Sequence, residues 1–169
     1  MNTTTAVTDP DPARSPRPSP SADGPLQPPP VAWRLGYAGL IPFVLGAALV
    51  WLVGGEAHPY VAAALSAYGA VIVSFLGGIH WGHAMGLRPA QAEAAGSALV
   101  WGVVPSLVAW IGVLMPPYAG LFVLGLAVIG CYLVDRRRYA SLGLQSWMTL
   151  RFRLTAVASL CCFLGAAGS

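Results

Sequence analysis

An all-α integral membrane bundle of about five transmembrane helices, preceded by a disordered N-terminal tail, is the fold that three features of this sequence predict. Of its 169 residues, 56% are hydrophobic and 9% charged, against about 25% charged in a soluble domain, so a water-facing surface would be too small for so much apolar chain. The charges are also confined: none falls between Ala57 and Leu87, and none between Ala94 and Val134. Finally, nine of the fifteen prolines crowd into residues 1–30 among Ser, Thr and Asp, a composition that cannot bury a core.

Residues 1–32 are expected to form a Pro-rich cytoplasmic tail, and residues 33–169 the transmembrane domain. The segment "RSPRPSP" is too generic to specify a proline-binding partner. The first apolar run begins only at Leu35 and contains Pro42, which does not fit a cleaved signal peptide.

The spans are expected at about 35–53, 60–81, 97–115, 118–134 and 152–168. A crossing needs about 20 residues, so the long uncharged run is two spans, broken where Met115-Pro116-Pro117-Tyr118 interrupts the helix. The fifth has a short uncharged core, Leu154 to Ala167, and crosses only if Arg151 and Arg153 snorkel to the interface with Trp147 as an anchor. A four-span chain with a surface-lying C-terminal segment is the alternative.

With five spans, all nine arginines fall on one side: Arg14, Arg17 and Arg34 in or near the tail, Arg88 after span two, and Arg136, Arg137, Arg138, Arg151 and Arg153 after span four. The other side has none. The positive-inside rule then sets the N-terminus in the cytoplasm. The arginines do not interleave with aromatics on a polar patch, so no nucleic-acid partner is expected. Cys131, Cys161 and Cys162 sit in apolar segments, the setting of buried, quiet thiols rather than of a disulfide framework or metal cluster.

Two embedded patterns invite function. Ser74, Gly78, Gly82 and Gly86 fall every fourth residue along span two, and small side chains in register let another helix come close. The stretch "SFLGGIHWGHAM" also holds His80, Trp81 and His83. His80 lies about 200° around the helix from Gly78, and His83 about 60° from His80, so the histidines share a face. Twenty residues from Tyr60 bring the chain to His80, where Trp81 suits an interfacial belt. A headgroup-level exit is therefore one reading. In the other, His80 turns inward to Asp135 at the matching end of span four, where a carboxylate favours the imidazolium. His80, Trp81, His83 and Asp135 are the candidate functional cluster. No catalytic residue, bound metal or cofactor is assigned.

Pro42 in "GLIP" and Pro105 in "GVVP" each lie about two turns into a span and are expected to kink it. The shared pattern also hints at a duplicated helical hairpin, although little else aligns at that offset.

The ordered set "LGYAGLIPF", "YGAVIVSFLGGIHWG", "WGVVPSLVAW" and the Asp-Arg end of span four resembles the uncharacterised multi-pass membrane family that includes transmembrane protein 69. That resemblance covers about residues 33–165 and implies a small helical integral membrane protein, with no reaction or catalytic residues to carry over. The Pro, Ala and Arg bias without lysine looks bacterial, which makes the expected location the inner (plasma) membrane. Three function classes stand. The first is an accessory or assembly protein acting through helix contacts with the bilayer, another membrane protein or a second copy of itself. The second is a small-solute transporter or channel, and the third a redox or metal-binding subunit using His80 and His83.

Overall fold

The computed structural model describes residues 27–141 and 144–169. It contains five long helices: α1 (Pro30–Leu52), α2 (Ala57–Met85), α3 (Ala92–Leu114), α4 (Pro117–Ser141) and α5 (Met148–Gly168). Single 3-10 turns, Pro89–Gln91 and Gln145–Trp147, precede α3 and α5. All five helices are long and apolar enough to cross a membrane, and the chain is a multi-pass membrane protein. Helices satisfy their backbone hydrogen bonds internally, as hydrocarbon demands.

The expected tail, residues 1–32, lies outside the described residues as far as residue 26. Helix α1 begins at Pro30, where proline's fixed φ and missing N–H suit the first turn of a helix. All five helices outrun their expected spans at the arginine end: α1 starts at Pro30 and α3 at Ala92, α2 continues past Trp81 to Met85, α4 past Val134 to Ser141, and α5 starts at Met148.

The helices follow one another around the bundle, with α2 against α1, α3 and α4, and α5 closing the circuit against α4 and α1. Their inward residues alternate steps of three and four. On α1 they are Leu40, Phe43, Ala47 and Val50; on α3, Ala98, Gly102, Pro105, Ala109 and Gly112. On α2 the same rhythm runs Ala62, Ser66, Gly69, Val73, Leu76 and His80. That spacing is the seam of left-handed helix packing. Large apolar side chains such as Phe75, Val100 and Trp110 point outward, as lipid-facing surfaces do.

Helices α1 and α5 run parallel: Gly36 lies beneath Leu154 near one end, and Trp51 Nε1 donates to the Leu164 carbonyl (3.1 Å) near the other. At that second end His58 Nε2 donates to the Gly168 carbonyl at 2.8 Å. α5 therefore runs the full depth of the bundle, and the four-span alternative does not hold. The described arginines, from Arg34 to Arg153, all lie at the end where α1, α3 and α5 begin.

Within one chain, the glycine stripe is not where helices meet. Gly78 and Gly82 have no atom within 4 Å of where a Cβ would stand, and Gly86 caps α2 in an exposed position. Ser74 is half-buried. The close approach is made one residue earlier, where a methyl group on Gly77 would strike the Gly102 carbonyl of α3. One residue is 100° of helix rotation, so the stripe through Gly69, Val73 and Gly77 faces in and the one through Gly78 faces out. Pro42 is exposed on α1, while Pro105 is buried beside Gly77; both helices continue through their prolines. At the α3–α4 turn, Gly112 and Gly120 bring their backbones into contact.

Candidate functional site

At the arginine end the apolar seam gives way to charge. On α4 the inward stripe through Leu124, Val128 and Cys131 reaches Asp135, which is 1% exposed. On α2 it reaches His80 (4%), and on α5 the stripe Cys162, Ala158, Thr155 ends at Arg151 (9%). Each polar residue thus occupies a core position of its own helix, and the three helices deliver them to one point. Arg151 Nη2 donates to Asp135 Oδ2, while His80 Nε2 stands 3.1 Å from Asp135 Oδ1. The His80 ring is turned so that this approach lacks the alignment of a hydrogen bond. Its charge state sets its value: the imidazolium gains from the carboxylate, the neutral ring much less.

A carboxylate removed from water at this depth is tolerable only when paired. Arg151 supplies that partner with a planar, permanently charged group. The edge of the Trp101 ring system on α3 meets the His80 ring at a centroid distance of 6.5 Å, nearly perpendicular. Four helices therefore converge on the cluster, which fixes their relative rotation.

Of the candidate residues, the fold joins His80 and Asp135 and separates the others. Trp81 faces α3, with its Nε1 donating to the Leu99 carbonyl at 3.0 Å and its ring lying over Gly102. It binds α2 to α3 instead of floating in an interfacial belt. His83 is half-buried a turn beyond His80 and takes no part in the ion pairs. Among the described residues no three His, Cys, Asp or Glu side chains converge as metal ligands. The three cysteines are free and buried.

Arg151 is the member that the sequence reading missed. It was expected to snorkel outward with Arg153; instead the two arginines part. Arg153 lies exposed, its guanidinium 5.8 Å from the Trp33 ring and 3.3 Å from the Tyr37 hydroxyl. Arg151 turns in because it heads the stripe 151, 155, 158, 162, and that periodicity was the available signal.

Beside the cluster, α1 and α2 diverge. They touch in their other half, where Tyr68 packs edge-on against Phe43 and donates to the Gly39 carbonyl (2.8 Å). Toward the arginine end α1 leans on α5, leaving a cavity of about 550 Å³ between α1, α2, α4 and α5.

Residues 28–167 match the family described as "Protein of unknown function (DUF3429)", and the chain belongs to that family. It is 43% identical over 101 residues to "Transmembrane protein 69" of Xenopus tropicalis, an alignment covering 57% of this chain and 39% of that protein. The chain thus spans about two fifths of the length of that relative. No solved structure matches it.

Proposed function

We propose that this protein is an accessory or assembly factor of the inner (plasma) membrane that works by docking a transmembrane helix of another polypeptide against the outer face of α2. The observation behind this reading is the contrast between the two glycine faces of that helix. Gly77 is occupied by α3, whereas Gly78 and Gly82 are left open. An open strip of glycine lets a second backbone approach closely, which in lipid supplies van der Waals contact in place of a hydrophobic drive. The expected partner is a second copy or a different membrane protein.

The arginine end faces the cytoplasm in this reading, and the C-terminus faces away from it. Support comes from the arginines at one end of the bundle and from the positive-inside rule. Pro42 and Pro105 belong to the same proposal: each removes a backbone donor from its helix, which would let the cytoplasmic half of that helix adjust to a partner.

Replacing Gly78 or Gly82 with leucine tests the docking. The isolated chain should keep its thermal stability, because nothing inside it is displaced, while its association in mild detergent is lost. Unchanged association would mean that this face meets only lipid. A transporter reading gains nothing specific from the cavity, whose walls are mostly apolar. A redox or metal role for His80 with His83 gains no specific support, since among the described residues no third His, Cys, Asp or Glu joins them.

A further inference from the structure

We infer that the cavity between α1, α2, α4 and α5 is a binding site for one anionic lipid chain, its tail in the apolar part and its acidic head beside Arg151 and Trp147. The site is separate from the open glycine face of α2 and does not depend on it.

The walls carry the first argument. The greater part of the lining is apolar, with Phe43, Ile72, Leu76 and Ile79 among it, whereas its polar members are Tyr139, Trp147, Arg151 and Thr155. These four belong to the arginine end of α4, the turn before α5 and the first turns of α5, so the cavity has an oily body and one polar pole. A volume of about 550 Å³ falls within the roughly 300–1,000 Å³ of small-molecule sites. Leu35 and Phe75, both largely exposed, form part of its rim. The opening therefore lies between α1 and α2 and faces the membrane interior, the direction from which a lipid chain would enter.

Unmet hydrogen bonds carry the second argument. Among the described residues five buried side-chain atoms lack a partner: Ser66 Oγ, His80 Nε2, Trp101 Nε1, Trp147 Nε1 and Arg151 Nε. Two of them, Trp147 Nε1 and Arg151 Nε, belong to residues lining this cavity. Both are donors, and neither indole nor guanidinium can accept. Buried donors without acceptors are costly, and an oxygen-rich head would relieve both.

Charge supplies the third. Asp135 is already engaged by Arg151 and His80, and the described arginines lie at this end of the bundle, with Arg151 in the cavity wall. An acidic head is favoured there over a neutral one. The same chemistry is offered by a free fatty acid and by an anionic phospholipid with one chain inserted.

The full chain, purified in mild detergent, can be titrated separately with oleate, dioleoylphosphatidylglycerol, dioleoylphosphatidylcholine and oleyl alcohol, with binding read by native mass spectrometry. One equivalent of an anionic amphiphile should be held, and oleyl alcohol should bind about tenfold more weakly, the weight of one charge-assisted hydrogen bond. Retention of oleate identifies a fatty acid, and retention of phosphatidylglycerol a membrane phospholipid. Trp147→Phe keeps the ring but removes the donor, and should weaken anionic binding about threefold to tenfold with thermal unfolding unchanged. Ile79→Trp, filling the wall, should abolish it. Equal binding of charged and neutral amphiphiles would overturn the inference, as would full affinity in Trp147→Phe; that variant decides the matter even if Ile79→Trp does not fold.

Discussion

The two ends of this bundle are held together by different means. At the end where His58 lies, backbone contacts and hydrogen bonds to carbonyls do the joining. Gly112 and Gly120 touch backbone to backbone across the α3–α4 turn, Trp51 and His58 donate to carbonyls at the end of α5, and Gly55, with φ of +61°, makes the α1–α2 turn in a conformation natural to glycine. At the arginine end a buried carboxylate is shared between Arg151 and His80, and donors nearby are left unmet. Close packing can be complete in itself. A desolvated charge cluster is complete only when every donor and acceptor is answered, and the unmet donors Trp147 Nε1 and Arg151 Nε are those the proposed acidic head would engage.

The largest effect should come from breaking the charged end. Asp135→Ala leaves Arg151 buried without its counter-ion and should destabilise the bundle by about 3–5 kcal/mol, measured by equilibrium unfolding in mixed micelles. A loss below about 1 kcal/mol, the value of an exposed pair, would mean that the carboxylate is solvated. Next comes the neutral end. Gly120→Leu forces a side chain into the Gly112 backbone and should lower stability by about 1–3 kcal/mol, without altering anionic lipid binding at the far end. If lipid binding fell with it, the ends would not be independent. The smallest effect is expected from His58→Ala, which removes one hydrogen bond to the Gly168 carbonyl. About 0.5–1.5 kcal/mol should be lost, read as a modest drop in thermal midpoint.

Much of the helical framework was legible in the sequence, because a run of some 20 apolar residues has few structural options in or out of a membrane. Pro116 and Pro117 marked the α3–α4 turn for the same reason that proline ends helices. The facing of the helices was less legible. Gly77 and Gly78 are adjacent glycines, so composition alone did not decide which one meets α3; the fit against Gly102 and Pro105 of α3 did. His80 and Asp135 could be matched by depth. Arg151 was misjudged because arginine near a helix end ordinarily snorkels to water, and only the presence of Asp135 on a neighbouring helix makes the inward rotamer favourable. The periodicity of 151, 155, 158 and 162 pointed inward, but the partner that makes that direction favourable is a tertiary fact.

The central claim is that Asp135 and Arg151 act as one buried unit that fixes α4 against α5. A double-mutant cycle tests it most directly, with Asp135→Leu, Arg151→Met and the double replacement each unfolded reversibly in mixed micelles. The account predicts that each single replacement is strongly destabilising and the double one much less so, with a coupling of at least about 2 kcal/mol. Additive losses within about 0.5 kcal/mol would contradict it, showing two charges that stand near each other without depending on each other.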